Sequence, residues 1–527
     1  MTHTQTMTQT KPSCTTYYTT EQVEQCNGGN NPSYTILYGK VYDMSELFDI
    51  HPGGTIIKYA AGRDCTSLFE SYHSTQSLNK CHMYVNKYLR YIGQHAEQAC
   101  KCVPVEQYNP SNTIDSDIND SKGYIAPNNS NNKDLIDYKT KSHNTCVHQA
   151  DDSFFVTVRQ RVDNELIKLY GSSGRHAREW IGKLEATITL LAYCITTYYT
   201  SFYGSYTAAI LLGFVTGRMG FVMHSGNHCA ISSSSIWNRC VGMFMDIVGS
   251  SHYIWGYEHQ VAHHMTPNEY KKDNDCEIGN PFFRFHPLIK NDNIDNDSAQ
   301  PTESSLTPID RFARRNQHWL VPCLMSIGFF KWFCNDVEFF INQRAGNVKI
   351  PTTIPLWSYM IVCKIVWCFV HVYIPYQYFG LSTTLITVCI FMSIGAEYLE
   401  NTFIVNHIQE QCQLPMIDLE HQKQLAGNKP LHWAVQQVCT TTNWASESIF
   451  WNYMSGGLNH QIEHHLFPTM SICLYPVIAP IVKQTCMDYG LPYNNYNTFM
   501  DAYSDMLYYL KKLGQDTDQL HHKQKSH

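Results

Sequence analysis

Four apolar stretches, residues 184–203, 206–223, 355–377 and 380–401, constrain this chain more than any other feature. Each approaches the roughly 20 mostly apolar residues that a helix needs to cross a bilayer. They come as two pairs. The connections around Gly204 and Gly380 have room only for a tight helical hairpin. Arg218 and Lys364 are the charges that fall away from the ends of the runs, and are expected to snorkel or to face the bundle. Neither connection contains Lys or Arg, whereas the preceding segment holds Arg159, Arg161, Lys168, Arg175, Arg178 and Lys183. Positive charge stays on the cytosolic side, so both termini and the long 224–354 segment are expected there. Buried helices of a soluble protein would not explain the pairing together with the charge asymmetry. Residues 319–334 are also apolar, but their short length and Lys331 suggest an interfacial helix. The expected fold is an α-helical integral membrane protein, with four transmembrane helices in two hairpins and a cytosolic helical cap.

Composition narrows the rest. Charged residues are 16% of the chain, below the roughly 25% of an ordinary soluble protein. The net charge is −7 and no long basic run occurs, which argues against nucleic acid as a partner. Residues 1–20 are polar and Thr-rich, without the basic stretch and apolar core of a signal peptide. The 20 cysteines are scattered and read as reduced thiols. Cys100 and Cys102 lack the second pair that a zinc site needs. Five zones follow: a polar leader at 1–32, a soluble module at 33–98, a flexible linker at 99–150, a membrane domain at 151–513, and a polar tail at 514–527. The linker is rich in Asn, Asp, Ser and Lys, too polar to offset its ordering entropy.

The soluble module carries His51-Pro52-Gly53-Gly54, preceded by Tyr38-Gly39-Lys40-Val41-Tyr42-Asp43. His73 lies 22 residues on, with Ala61-Gly62-Arg63-Asp64 and Phe69 between, and Tyr91-Ile92-Gly93 closes the module. Glycines allow a loop to approach a flat macrocycle. Two imidazoles on opposite faces of a haem would leave no position for oxygen, so such a haem transfers electrons. The set resembles the cytochrome b5 family, with a small α+β fold. The resemblance implies haem b with His51 and His73 as axial ligands.

Three histidine clusters lie in the membrane half: His224-Ser225-Gly226-Asn227-His228, His259-Gln260-Val261-Ala262-His263-His264, and Gln461-Ile462-Glu463-His464-His465. Residues four apart share a helix face, so the first two clusters should each present a pair of imidazoles in one direction. Imidazole suits iron, copper and zinc. With 26 histidines, about one His-His doublet arises by chance, so a doublet such as His521-His522 says little. A His-x-x-x-His-His pattern is expected only about 0.06 times and is informative. Every cluster follows an apolar run on the same expected membrane face, and His407 follows the fourth run there. Eight histidines can ligate two iron ions and leave positions open for oxygen. His460 is rotated about 100° from its neighbour and should point elsewhere. His252, His286 and His371 read as hydrogen-bonded or surface residues. Glu463 and Asn227 are expected to orient imidazoles, and Gly456-Gly457 to form a tight helix entry.

The three boxes around two hairpins resemble the membrane fatty-acid desaturases over 151–513, most closely at Trp451 to Pro468. Gln461 stands where other desaturases have the first histidine of the third box. That substitution and the N-terminal haem module resemble the front-end subgroup. Its members insert a double bond between the carboxyl end and an existing double bond. The resemblance implies His224, His228, His259, His263, His264, His464 and His465 as ligands of two non-haem irons, with His407 and Gln461 joining them. It implies O2 as co-substrate, a fatty acyl lipid or acyl-CoA substrate, a Δ5 or Δ6 position, and electrons from NADH-cytochrome b5 reductase through the fused haem.

Lys523 and Lys525 resemble a dilysine retrieval signal, so the expected location is the endoplasmic reticulum membrane, multi-pass, with both termini cytosolic. Two alternatives stay open. One is a sphingolipid long-chain-base desaturase or hydroxylase. The other is a non-catalytic membrane haem protein that relays electrons. The His-Glu-x-x-His signature of a zinc metalloprotease is missing.

Overall fold

Alternating apolar and polar residues build the N-terminal part around a hairpin. Its elements are β1 (Tyr17–Tyr18), α1 (Thr20–Glu24), β2 (Tyr34–Leu37), β3 (Lys40–Asp43), β4 (Arg63–Asp64), α2 (Thr66–Tyr72), α3 (Thr75–Tyr88) and β5 (Arg90–His95). The sheet order is β1-β5-β3-β2-β4. β2 and β3 pair antiparallel across Tyr38-Gly39, both with positive φ, as a two-residue hairpin turn requires. Leu37 and Tyr42 face a core shared with Met44, Ala60, Ala61 and Cys65. Ile36 and Val41 point the other way and pack on Val23 of α1.

The computed structural model describes residues 16–28, 31–96, 153–269, 272–273, 275, 282–286, 306–345, 348–412 and 432–524. The expected linker at 99–150 and Lys525 lie outside the described residues. The chain divides into two compact units. The N-terminal fold begins at Tyr17, ahead of the expected boundary at 33. There β1 pairs parallel to β5, and a capping box at Thr19 and Gln22 starts α1, which buries Val23 fully. One buried valine in a five-residue helix leaves no periodic signal in a polar sequence.

The C-terminal unit is helical. It contains α4 (Ser153–Tyr170), α5 (Glu179–Tyr203), α6 (Tyr206–Asn227), α7 (Gly328–Asn342), α8 (Ile354–Cys368), α9 (Ile374–Ile404), α10 (Trp433–Cys439), α11 (Gln461–Leu466), α12 (Tyr475–Asp488) and α13 (Phe499–Gln524), with shorter helices between. Tyr206–Asn227 and the continuous stretch Ile354–Ile404 are long and apolar enough to cross a membrane. Helical geometry breaks inside α9 at Gly380, with φ 75° and ψ 178°, a conformation open essentially to glycine. The apolar stretch expected at 319–334 is two helices, Gln317–Met325 and the start of α7. The polar tail expected from 514 is continuous with α13, which starts at Phe499.

Small residues bring α6 and α9 together. A Cβ on Gly213 would lie 2.7 Å from Ile394 Cβ, on Gly217 2.9 Å from the Gly395 carbonyl oxygen, and on Gly220 2.6 Å from Leu399. Backbones can approach this closely only where side chains are absent. Outward-facing Ile188, Leu191, Ile195, Phe214, Ile365 and Leu385 are exposed, as befits surfaces that meet lipid. The two mid-run charges turn inward. Arg218 pairs with Glu185 and donates to the Met454 carbonyl, while Lys364 pairs with Asp336 at 2.5 Å and donates to the Gly249 carbonyl.

Candidate metal centre

The histidines gather at the ends of α6 and α9 and in the segments packed on them. His224 is in the last turn of α6, and His228 caps it. His407 follows α9, and α11 carries Gln461, His464 and His465. Gly456 (φ 62°) and Gly457 (φ 84°) make the tight entry to α11 that only glycine adopts freely. Two groups of imidazole nitrogens result. His224, His228, His259, His264 and His464 form one; His263, His407 and His465 form the other. All eight are buried.

The middle cluster departs from the expected helix-face pairing. Tyr257–His263 is a π-helix, whose i→i+5 spacing replaces the α-helical i→i+4. His259 and His264, five apart, therefore converge with Nε2 atoms 3.2 Å apart. His263 turns to the second group, 4.5 Å between ring centroids from His407. Adjacent His464 and His465 also divide between the groups, because one helical step rotates a side chain by about 100°.

Outward contacts fix the tautomers. His259 Nδ1–H donates to Asp275 at 2.7 Å, and His263 Nδ1–H to Asp273 at 3.0 Å. His465 Nδ1–H donates to Gln437 Oε1 at 2.5 Å, and His407 Nδ1–H to the Thr440 carbonyl at 3.2 Å. Those four oxygens cannot donate, so in the neutral rings the proton sits on Nδ1 and Nε2 keeps a bare lone pair facing inward. Inside, His224 and His259 Nε2 atoms are 3.1 Å apart, and those of His264 and His464 3.2 Å. The Nε2 atoms of His228 and His263 are buried without a hydrogen-bond partner. Two nitrogens about 2.1 Å from one ion and at right angles to each other are about 3 Å apart, so the spacing suits a shared cation. The Gln461 amide nitrogen lies 2.9 Å from His407 Nε2 and 3.1 Å from His465 Nε2. Turning that amide over would present its oxygen to the same point.

Burial holds the imidazoles of His228, His259, His264, His407, His464 and His465 well below the ordinary histidine pKa. They are neutral, the form that binds metal. At His263 burial acts the same way, but the Asp273 carboxylate outweighs it and the net shift is upward. Burial lifts the Asp275 carboxyl to about 6 and that of Glu258 to about 8.

The residues that orient imidazoles are not those expected. Glu463 accepts from Asn443 and Tyr493, each at 2.8 Å, and the Asn227 amide contacts Met223. Asp273, Asp275, Gln437 and the Tyr475 hydroxyl, 3.2 Å from His464 Nδ1, take that place. The only trace of the aspartates in the sequence is an acidic stretch soon after His264. His460 lies outside both groups beside Asn459 and Tyr475. His252 pairs with Asp246 at 2.6 Å, and His371 with Tyr193 at 3.0 Å; His286 is buried apart from the groups. His51 and His73 are each half-buried.

A cavity of about 570 Å³ reaches the first group at His224 and His259. Phe221, Trp255, Leu399 and Phe403 give it apolar walls. The site thus joins a metal-competent histidine cluster to a partly apolar chamber.

The family model described as fatty acid desaturase matches residues 202–497, which hold all eight histidines. The chain belongs to the fatty acid desaturase family. A model of the cytochrome b5-like haem/steroid binding domain matches residues 19–96 of this desaturase. It is 26% identical over 511 residues to an acyl-lipid (8-3)-desaturase of Physcomitrium patens, covering 94% of this chain and 91% of that protein. It is likewise 26% identical to Delta(5) fatty acid desaturase A of Dictyostelium discoideum, covering 93% and 92%. An sn-1 linoleoyl-lipid 6-desaturase of Synechocystis is 30% identical over 59% of this chain and 80% of its own. The desaturase is therefore an oxidoreductase of a membrane-type, iron-using family that acts on fatty acyl lipids, with a haem-binding domain at its N-terminus.

Proposed function

We propose that the chain is a front-end acyl-lipid desaturase that inserts a cis double bond, at a Δ5 or Δ6 position, between the carboxyl end and an existing double bond. The observation that carries the reading is the convergence of eight buried imidazoles in two groups, with Nδ1 tied outward on several and Nε2 facing inward. The relatives named Delta(5) and 6-desaturases support the position.

His224, His228, His259, His264 and His464 would hold one iron; His263, His407 and His465, with Gln461, would hold the second. Bound iron would supply the O2-dependent oxidation that removes two hydrogens from adjacent methylenes, which no side-chain acid or base can do. The chain's own share is positioning. Asp273 and Asp275 hold the imidazole planes and keep the Nε2 lone pairs free. Phe221, Trp255, Leu399 and Phe403 enclose the acyl chain and exclude water. In the N-terminal module His51 and His73 would ligate haem b, which would pass electrons from NADH-cytochrome b5 reductase.

Four spans in two hairpins are the arrangement we infer. The two turns support it: Gly204 packs against the Phe379 ring beside Gly380, and Phe202 and Tyr378 lie 6.2 Å apart. Tyr198, Tyr203 and Tyr376 around these turns are exposed, as in the aromatic belt of a membrane interface. The histidines sit at the other ends of α6 and α9, on the cytosolic side by the charge distribution, with both termini there and the endoplasmic reticulum as the membrane.

Expression in yeast with linoleic, α-linolenic and dihomo-γ-linolenic acids fed separately tests the function. A product with one extra double bond on the carboxyl side, read by gas chromatography with mass spectrometry, is the expected result. No new fatty acid from well-expressed, haem-loaded protein would count against it and favour a sphingolipid substrate.

A further inference from the structure

α7 carries three stripes. Phe329, Asp336 and Phe339 pack inward and are buried, while Cys334, Val337 and Ile341 are exposed. Between them runs a polar stripe, Lys331, Asn335, Glu338 and Asn342, at the spacing of one helix face. All four line the cavity that reaches His224 and His259. A chamber for a hydrocarbon chain alone has no use for a polar wall. A front-end enzyme does, because the carbons it oxidises lie only a few bonds from the ester. The ester carbonyl must then lodge close to the histidines, and burying it without a donor is costly.

The cationic and amide donors on the cavity lining are Lys331, Asn335, Asn342 and Arg344. Asp275 and Glu338 also line the cavity, and their carboxylates would repel a carbonyl oxygen. Asn342 lies about two turns beyond Asn335 along α7, and Arg344 lies past the end of that helix. Among the described residues no side-chain hydrogen bond engages Lys331 or Asn335. Lys331 is exposed on the lining, and its ammonium is within electrostatic reach of Glu258, Asp275 and Glu400. We propose that Lys331 and Asn335 anchor the carboxyl end of the substrate by donating to its ester carbonyl, and that this anchor sets where the double bond is inserted. The proposal rests on the front-end reading above and adds specificity-determining residues to it.

The full chain in yeast, fed the same three acids, provides the test, with Lys331→Met, Lys331→Arg and Asn335→Leu beside wild type. Lys331→Met should lower front-end product about tenfold at equal protein level, as expected when a charge-assisted hydrogen bond is lost. It should also spread the new double bond over neighbouring positions, which a merely structural lesion would not do. Lys331→Arg should keep a single position. If Lys331→Met does not accumulate, Asn335→Leu carries the test, with the same spread expected. A product unchanged in amount and position in the variants overturns the anchor alone. No front-end product from wild type removes the functional reading and the anchor together.

Discussion

Each imidazole at the centre depends on what its outer nitrogen touches. Asp273 is fully buried, and its carboxylate holds the His263 Nδ1 proton while also accepting from the Asn268 backbone. Replacing it with Asn trades an acceptor-only group for one that can donate, and the tautomer is no longer enforced. Asp273→Asn should weaken iron binding about 10–100-fold. Iron retained after dialysis against a chelator measures this; retention equal to wild type would remove Asp273 from the account. His263→Ala should abolish turnover and lose non-haem iron while haem absorbance persists. An active His263→Ala enzyme would take His263 off the ligand set.

At the scale of elements, close packing of α6 on α9 places His224 and His407 within one cluster. Gly217 lies under Tyr398, with a would-be Cβ 2.7 Å from its ring. Gly217→Leu should destabilise the protein by about 1–3 kcal/mol through overpacking. A thermal melt in detergent reads the effect, and an unchanged midpoint would contradict it. Elements also show what was legible in the sequence. The breaks at Gly204 and Gly380 could be read because glycine between apolar runs has few other uses. The π-helix at Tyr257–His263 could not, since nothing in Tyr-Glu-His-Gln-Val-Ala-His distinguishes i→i+5 from i→i+4 pairing. The division of His259 and His263 between two groups followed from that hidden choice. Asp273 and Asp275 escaped because orienting carboxylates have no fixed spacing from the histidines they serve.

At the scale of the whole molecule, a cytochrome b5-like haem-binding module and a fatty acid desaturase domain share one chain. His51→Ala should keep non-haem iron but lose turnover unless outside cytochrome b5 is abundant. Full activity of that variant with no other donor would refute the fused-donor role. If the proposed two hairpins hold, tags at both termini are reached from the cytosol, whereas a glycosylation acceptor inserted at Gly204 is modified from the lumen. Modification of a terminal tag instead would reverse the topology. The most direct test of the central claim is a count of iron against haem in the purified full chain. Two non-haem irons for each haem are expected, and their loss in His263→Ala. Haem iron alone in wild type would contradict that claim and make the chain an electron carrier.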